Sequence, residues 1–314
     1  MKTKLGLATI GLLLGHVTTA TAALFFPEPG PLYFQFTNLE QTDIGVDGAG
    51  APTNGTSTCP GCSGDPEGNW GIAQLSILRV GDENPAGANP GDIGNDIDSA
   101  GLPPTFADQI FPTLGNQVTA IFYGITQTDI STSGTVVSLA STDGFLDLYY
   151  DEPGLPGGGT VTNIGSDLPS VRQTDSTAGD YTDGIFLARL EFASGIDPSD
   201  STTFIQGTID TSLANNSGSA DSYADVVPSA GGAWATLIDS DWFGTTFGTR
   251  DLRFSNKIDL NTDWNNGATT SILGLTSNDP GRSFVEVPEP SILALVGFGL
   301  LGLGVRRKAK KYLA

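Results

Sequence analysis

The sequence contains a single histidine, His16, and it falls within an apolar N-terminal run. Beyond that run no imidazole is left for a Ser-His-Asp or Cys-His catalytic group, or for a His-ligated metal. Cysteine is nearly as scarce: Cys59 and Cys62 are the full complement, two ligands short of a zinc site of thiolates and imidazoles. Basic charge is thin in the body and gathered at the ends. Lys2, Lys4, Arg306, Arg307, Lys308, Lys310 and Lys311 make up seven of the 14 cations. The remaining seven face 35 acidic residues between Glu28 and Glu289, a balance of about −28 in a chain whose formal charge is −21. A surface of that sign repels phosphate backbones and excludes nucleic acid as a partner.

Helical periodicity is also missing. Asp outnumbers Glu by 27 to 8, and Asp favours caps and turns over helix interiors. Glycine (42) and proline (19) together make about 19% of the chain, below the level of compositionally disordered segments. What is present is a succession of short alternating or apolar runs bounded by Gly, Pro, Asp and Asn, the pattern of strands and turns. Strands are predicted at Leu32–Thr37, Gly71–Val80, Gln117–Thr126, Thr135–Ala140, Phe145–Tyr150 and Gly184–Ala193. A further set is predicted at Thr203–Asp210, Ser222–Val227, Ala233–Ile238, Asp251–Leu260 and Arg282–Val287. In Asp251–Leu260 the order of Leu252, Phe254, Lys257 and Asp259 breaks strict alternation and predicts a bulge. The expected fold is all-β, a single β-sandwich of residues 23–286, with a jelly roll as one form of it. Gly- and Asp-rich loops are expected at Gln41–Asn69, Gly81–Asn116 and Asp151–Asp183.

The two ends read as targeting segments. Lys2 and Lys4 precede the apolar run Leu5–Val17, and Ala20-Thr21-Ala22 fits the small-x-small rule for leader cleavage. Residues 1–22 are therefore expected to be a signal peptide. At the other end, Val287-Pro288-Glu289-Pro290 precedes the apolar run 291–305, which Arg306-Arg307-Lys308 closes. Fifteen residues at about 1.5 Å each reach roughly 22 Å, short of the roughly 30 Å hydrocarbon core unless flanking residues snorkel. The basic cluster would stay cytoplasmic, with the acidic body on the outer side. The two prolines would break a helix continuing from the body and leave VPEP extended.

The stretch 287–314 resembles the PEP-CTERM sorting signal of Gram-negative bacteria, a Pro-Glu-Pro motif, short apolar helix and Arg-rich end in that order. The same signal also circulates under the label of an ice-binding protein C-terminal domain, a name that carries no statement about ice. The resemblance implies processing by an exosortase, a membrane cysteine protease-transpeptidase, at a transient membrane anchor, and delivery to the envelope or extracellular matrix. An ordinary C-terminal anchor is the competing reading. The body resembles no family.

Within the body, three features bear on chemistry. Cys59-Pro60-Gly61-Cys62 is flanked by loop residues, so a disulfide clipping a turn is expected, with redox or metal use as alternatives. Asp92, Asp96 and Asp98 lie within seven residues, as do Asp259, Asn261, Asp263 and Asn265. Both clusters are candidate Ca²⁺ sites, because alternating Asp and Asn can supply oxygens from one side of a loop. Asp143, Asp147 and Asp151 form a third group. The competing reading is that these residues make turns. The second cluster opens like an EF-hand but has Trp264 at the sixth position and Thr270 at the twelfth, which excludes that motif. Trp70, Trp234, Trp242 and Trp264 are candidates for stacking on sugar rings or for the core. No motif selects a catalytic acid. The expectation is a non-enzymatic exported surface or biofilm-matrix protein, meeting polysaccharide and calcium, with no other cofactor. The alternative is a secreted carbohydrate-active enzyme using paired carboxylates.

Overall fold

The computed structural model describes residues 30–55, 67–80, 117–151, 161, 163–212, 217–265 and 271–285. It is dominated by one antiparallel sheet. Strands β1 (Gly30–Asp43), β2 (Asn69–Val80) and β3 (Gln117–Ser133) lie side by side in chain order. Strands β4 (Val136–Thr142) and β5 (Phe145–Asp151) share the far edge of β3. Thr142 pairs with Thr126 and Phe145 with Tyr123, so β4 and β5 run end to end with a corner at Asp143–Gly144. The next two strands repeat that arrangement. Strand β6 (Ile185–Ala193) pairs with β5, and β7 (Ile205–Asp210) pairs with β4. Both then meet one edge of β8 (Ser217–Val226).

A small hairpin, β9 (Phe243–Thr245) and β10 (Gly248–Arg250), follows β8. Strand β11 (Leu252–Leu260) pairs with β8, β12 (Ile272–Val285) with β11, and β1 with β12. The ring is closed. Because β4–β5 and β6–β7 each occupy one place, the ten strands of the sheet fill eight places round an up-and-down barrel. This corrects the expected two-sheet sandwich. Alternation reveals which side chains share a face, but it is silent on whether the first and last strands pair, and here that pairing removes the open edges.

Two local expectations are also corrected. Ala233–Ile238 is not a strand: Ala235–Ile238 is a single helical turn, α1, that carries Trp234, Ala235 and Ile238 into the core. Nor does β11 bulge against β8, since its register runs unbroken from Leu252↔Ala224 to Asp259↔Ser217. Leu252, Phe254 and Ile258 are buried on one face, and the polar Asn256 between them shares it. A polar residue on the inner face imitates a slip of phase.

Apolar side chains fill the barrel interior, among them Leu32, Phe34, Leu148, Leu190, Phe254 and Trp234. A second layer covers the outer face of β1, β2 and β3. It consists of 3-10 turns at Ile164–Ser166, Pro169–Val171, Gly179–Tyr181 and Thr262–Trp264. Its core joins Leu39, Trp70, Ile72 and Ile121 to Tyr181 and Trp264. Trp70 Nε1 donates to Gln41 Oε1 at 3.1 Å, and Gln41 Nε2 donates to the Trp264 carbonyl at 2.8 Å. Trp264 Nε1 in turn donates to the Asp167 carbonyl at 2.7 Å. The described part of the predicted loop Asp151–Asp183 is therefore a packed layer. Among the described residues no helix is long and apolar enough to cross a membrane. The helix expected at 291–305 lies outside them.

Candidate functional site

Eight places round a closed barrel leave an interior that side chains just fill or that admits one small molecule. Here the filling is incomplete. A cavity with about 810 Å³ of empty space, its open mouth included, is lined by residues of all ten strands of the sheet. Its apolar wall includes Phe36, Phe122, Leu146, Phe192, Phe254 and Ile258. Its polar wall comes from many strands: Asn38, Glu40 and Thr42 of β1, Asn69 of β2, Gln127 of β3, Ser141 of β4, Ser222 of β8 and Asn256 of β11.

Several of these groups satisfy one another. Asn69 Nδ2 donates to Thr42 Oγ1 at 2.8 Å, Ser141 Oγ to Gln127 Oε1 at 2.7 Å, and Ser277 Oγ to Asn38 Oδ1. The carbonyl oxygens Oδ1 of Asn69 and Asn256 are buried and unpartnered. Glu40 is 7% exposed. Burial pushes its carboxyl up from 4.5 to about 7, against the lowering effect of a side-chain hydrogen bond with Asn69. Among the described residues it is the one ionisable side chain in the lining. The run of predicted strand stopped at Thr37, before these residues, because inward-facing Asn38, Glu40 and Thr42 lack the apolar pattern of a strand.

The other buried carboxylates have structural partners. Asp147 accepts from Arg189 Nε and Nη2, each at 2.7 Å. Asp251 accepts from the backbone amides of Val226, Ser240 and Asp241 at 2.7–2.8 Å. Asp151 accepts from Thr119 Oγ1 at 2.9 Å. Asp147 and Asp151 lie four residues apart on β5, about 13 Å along an extended chain, and Asp143 stands at the corner before it with φ 58°. The structure does not bring that trio together.

In the Asp259–Asn265 stretch, Asp259 is exposed on β11. The Asn261 side chain caps the following turn by accepting from Asp263 N at 3.1 Å, and Asn265 Oδ1 accepts from Gly274 N at 2.7 Å. Among the described residues no three or more acidic, Cys or His side chains are grouped as metal ligands. Ala20, Ala22, Cys59, Cys62, Asp92, Asp96, Asp98, Val287, Pro288, Glu289, Pro290, Arg306 and Arg307 lie outside the described residues. Of the four tryptophans, Trp70, Trp234 and Trp264 are fully buried. Trp242 is 39% exposed and stacks on Phe284 with ring centroids 3.9 Å apart and planes 6° apart.

Comparison with known protein families finds one match, over 286–308. The chain carries the PEP-CTERM protein-sorting motif. The match spans VPEP, the apolar run and the first arginines, all the elements on which the resemblance rested. PEP-CTERM sorting implies an exported protein of Gram-negative bacteria, sorted to the cell surface through an exosortase. No curated protein and no solved structure matches the chain, and the family of the barrel is not identified.

Proposed function

We propose that this PEP-CTERM chain is a non-enzymatic protein of the cell surface or extracellular matrix that contacts polysaccharide through its outer face. The observation that carries the reading is the sorting motif joined to a strongly acidic barrel. The Trp242–Phe284 pair supports the polysaccharide contact, because an exposed indole backed by a second ring offers a flat apolar platform to a sugar face. Hydrolysis of a glycoside needs two carboxyl groups about 5–10 Å apart. Among the described residues the cavity lining offers one carboxylate, Glu40, one short of that pair.

Calcium belongs to the same proposal, at the acidic stretch of Asp92, Asp96 and Asp98. At Asp259–Asn265 the oxygens of Asn261 and Asn265 already serve the backbone. The test is co-sedimentation of the protein with extracellular polysaccharide from the native host. Retention of the wild type and its loss in Trp242→Ala, at an unchanged melting temperature, is the expected result. Retention indifferent to Trp242 would remove the platform from the proposal. For calcium, a melting temperature raised by millimolar Ca²⁺ and not by NaCl of equal ionic strength is expected. Identical melting in Ca²⁺ and EDTA would overturn it.

A further inference from the structure

The barrel interior combines three properties that a merely structural core does not need together. It is open enough to contain empty space, it is walled by aromatic rings, and it carries a polar belt drawn from strands all round the barrel. The sense of that belt is specific. The donors whose bonds are seen are spent within the protein: Asn69 Nδ2 on Thr42, Ser141 Oγ on Gln127 and Ser277 Oγ on Asn38. The buried atoms left without a partner in the lining are acceptors, Asn69 Oδ1 and Asn256 Oδ1. Beside Asn69 stands Glu40, an acceptor when ionised. Leaving such oxygens unpartnered away from water is unfavourable, a cost that a donating guest would relieve.

We propose that the cavity binds a small primary ammonium ion with an apolar tail, its head held by Glu40 and the neighbouring unpartnered amide oxygen of Asn69 and its tail lying against Phe122, Leu146, Phe192 and Phe254. An –NH₃⁺ group has three donors and no acceptor, which complements a carboxylate beside an unpartnered amide oxygen. The aromatic wall adds attraction for the cation and area for the tail. Anions are repelled by the carboxylate. A calcium ion needs six to eight oxygens and more than one negative charge to balance it. This site rests on the cavity alone and is independent of the sorting motif and of the polysaccharide contact.

The experiment is calorimetric titration of the protein with n-hexylammonium, hexan-1-ol and hexanoate, at pH 8 and 0.5 M NaCl. The salt screens attraction to the acidic surface and leaves a buried pair largely intact. The expected result is saturable one-to-one binding of hexylammonium, with hexan-1-ol weaker and hexanoate silent. Because the pair requires ionised Glu40, affinity should fall about tenfold per pH unit below 7. Glu40→Gln should lose at least tenfold in affinity while keeping its near-ultraviolet circular dichroism. Failure of hexylammonium to bind, equal binding by Glu40→Gln, or equal binding of hexanoate would each overturn the proposal.

Discussion

The guanidinium of Arg172 lies over the indole of Trp70, 4.6 Å from its ring centroid. This contact joins the outer layer to the barrel wall. Arg172 is 1% exposed and pairs with Glu67 through two nitrogens, while Glu67 Oε2 also accepts from Gly124 N at 2.8 Å. The same guanidinium donates to the carbonyls of Thr174 and Asp175 at 3.2 and 2.9 Å. One side chain thus closes its own loop and pins it to β2 and β3.

Removing Arg172 leaves Glu67, whose side chain is 13% exposed, without its counter-ion. Breaking a buried pair by deleting one partner costs about 3–5 kcal/mol, so Arg172→Ala should lose that much in urea unfolding. Arg172→Lys should recover only part of it, because an ammonium cannot make the bidentate bond or stack flat on Trp70. Equal stability of the Lys variant and wild type would show that charge alone matters at this position.

Glu40 makes stability fall as pH rises. Below about 4.5 its carboxyl is protonated in both folded and unfolded chains. Between 4.5 and about 7 the unfolded chain releases a proton that the folded chain retains, so each unit costs up to about 1.4 kcal/mol. The loss is complete above about 7 and totals about 3 kcal/mol. Asp151 and Asp225, both raised to about 6, chiefly by burial, act in the same direction over a lower window. Glu40→Gln should therefore flatten the part of the stability profile between pH 5 and 7.5. Parallel profiles for wild type and variant would contradict this assignment.

Gly144 and Gly124 face each other where β4 turns into β5, with φ of +99° and +71°. The two are not equivalent. A Cβ at Gly144 would stand 2.3 Å from Ile125 Cγ1, whereas one at Gly124 would find nothing nearer than Gly144 Cα at 3.9 Å. Gly124→Ala should cost about 1–2 kcal/mol for the left-handed backbone alone. Gly144→Ala should add about 1–3 kcal/mol for overpacking. Thermal melts of the two variants check the order.

The strands were largely legible because most of their inward residues are apolar: Leu146 and Leu148 in β5, and Leu187 and Leu190 in β6, are buried as their runs suggest. The site was not legible. Its residues are polar and point inward, so the run of predicted strand ends before Asn38, Glu40 and Thr42, and the stretch Asp251–Leu260 that holds Asn256 reads as bulged. The outer layer had the opposite effect, since burying Leu39 and Gln41 on the other face of β1 erases its alternation. Closure by β12 against β1 rests on pairing between residues some 240 positions apart, which no local pattern records. The sorting motif was legible in full, because its order of residues is itself the signal.

Sorting through the PEP-CTERM end takes this barrel to the cell surface, and intact-mass spectrometry of the mature protein from its native host reads that route at both termini. The expected product is a chain that starts at or near Ala23 and has lost most of 291–314. A mature product that still ends in the RRKAKK stretch would contradict it and leave a plain membrane anchor in its place.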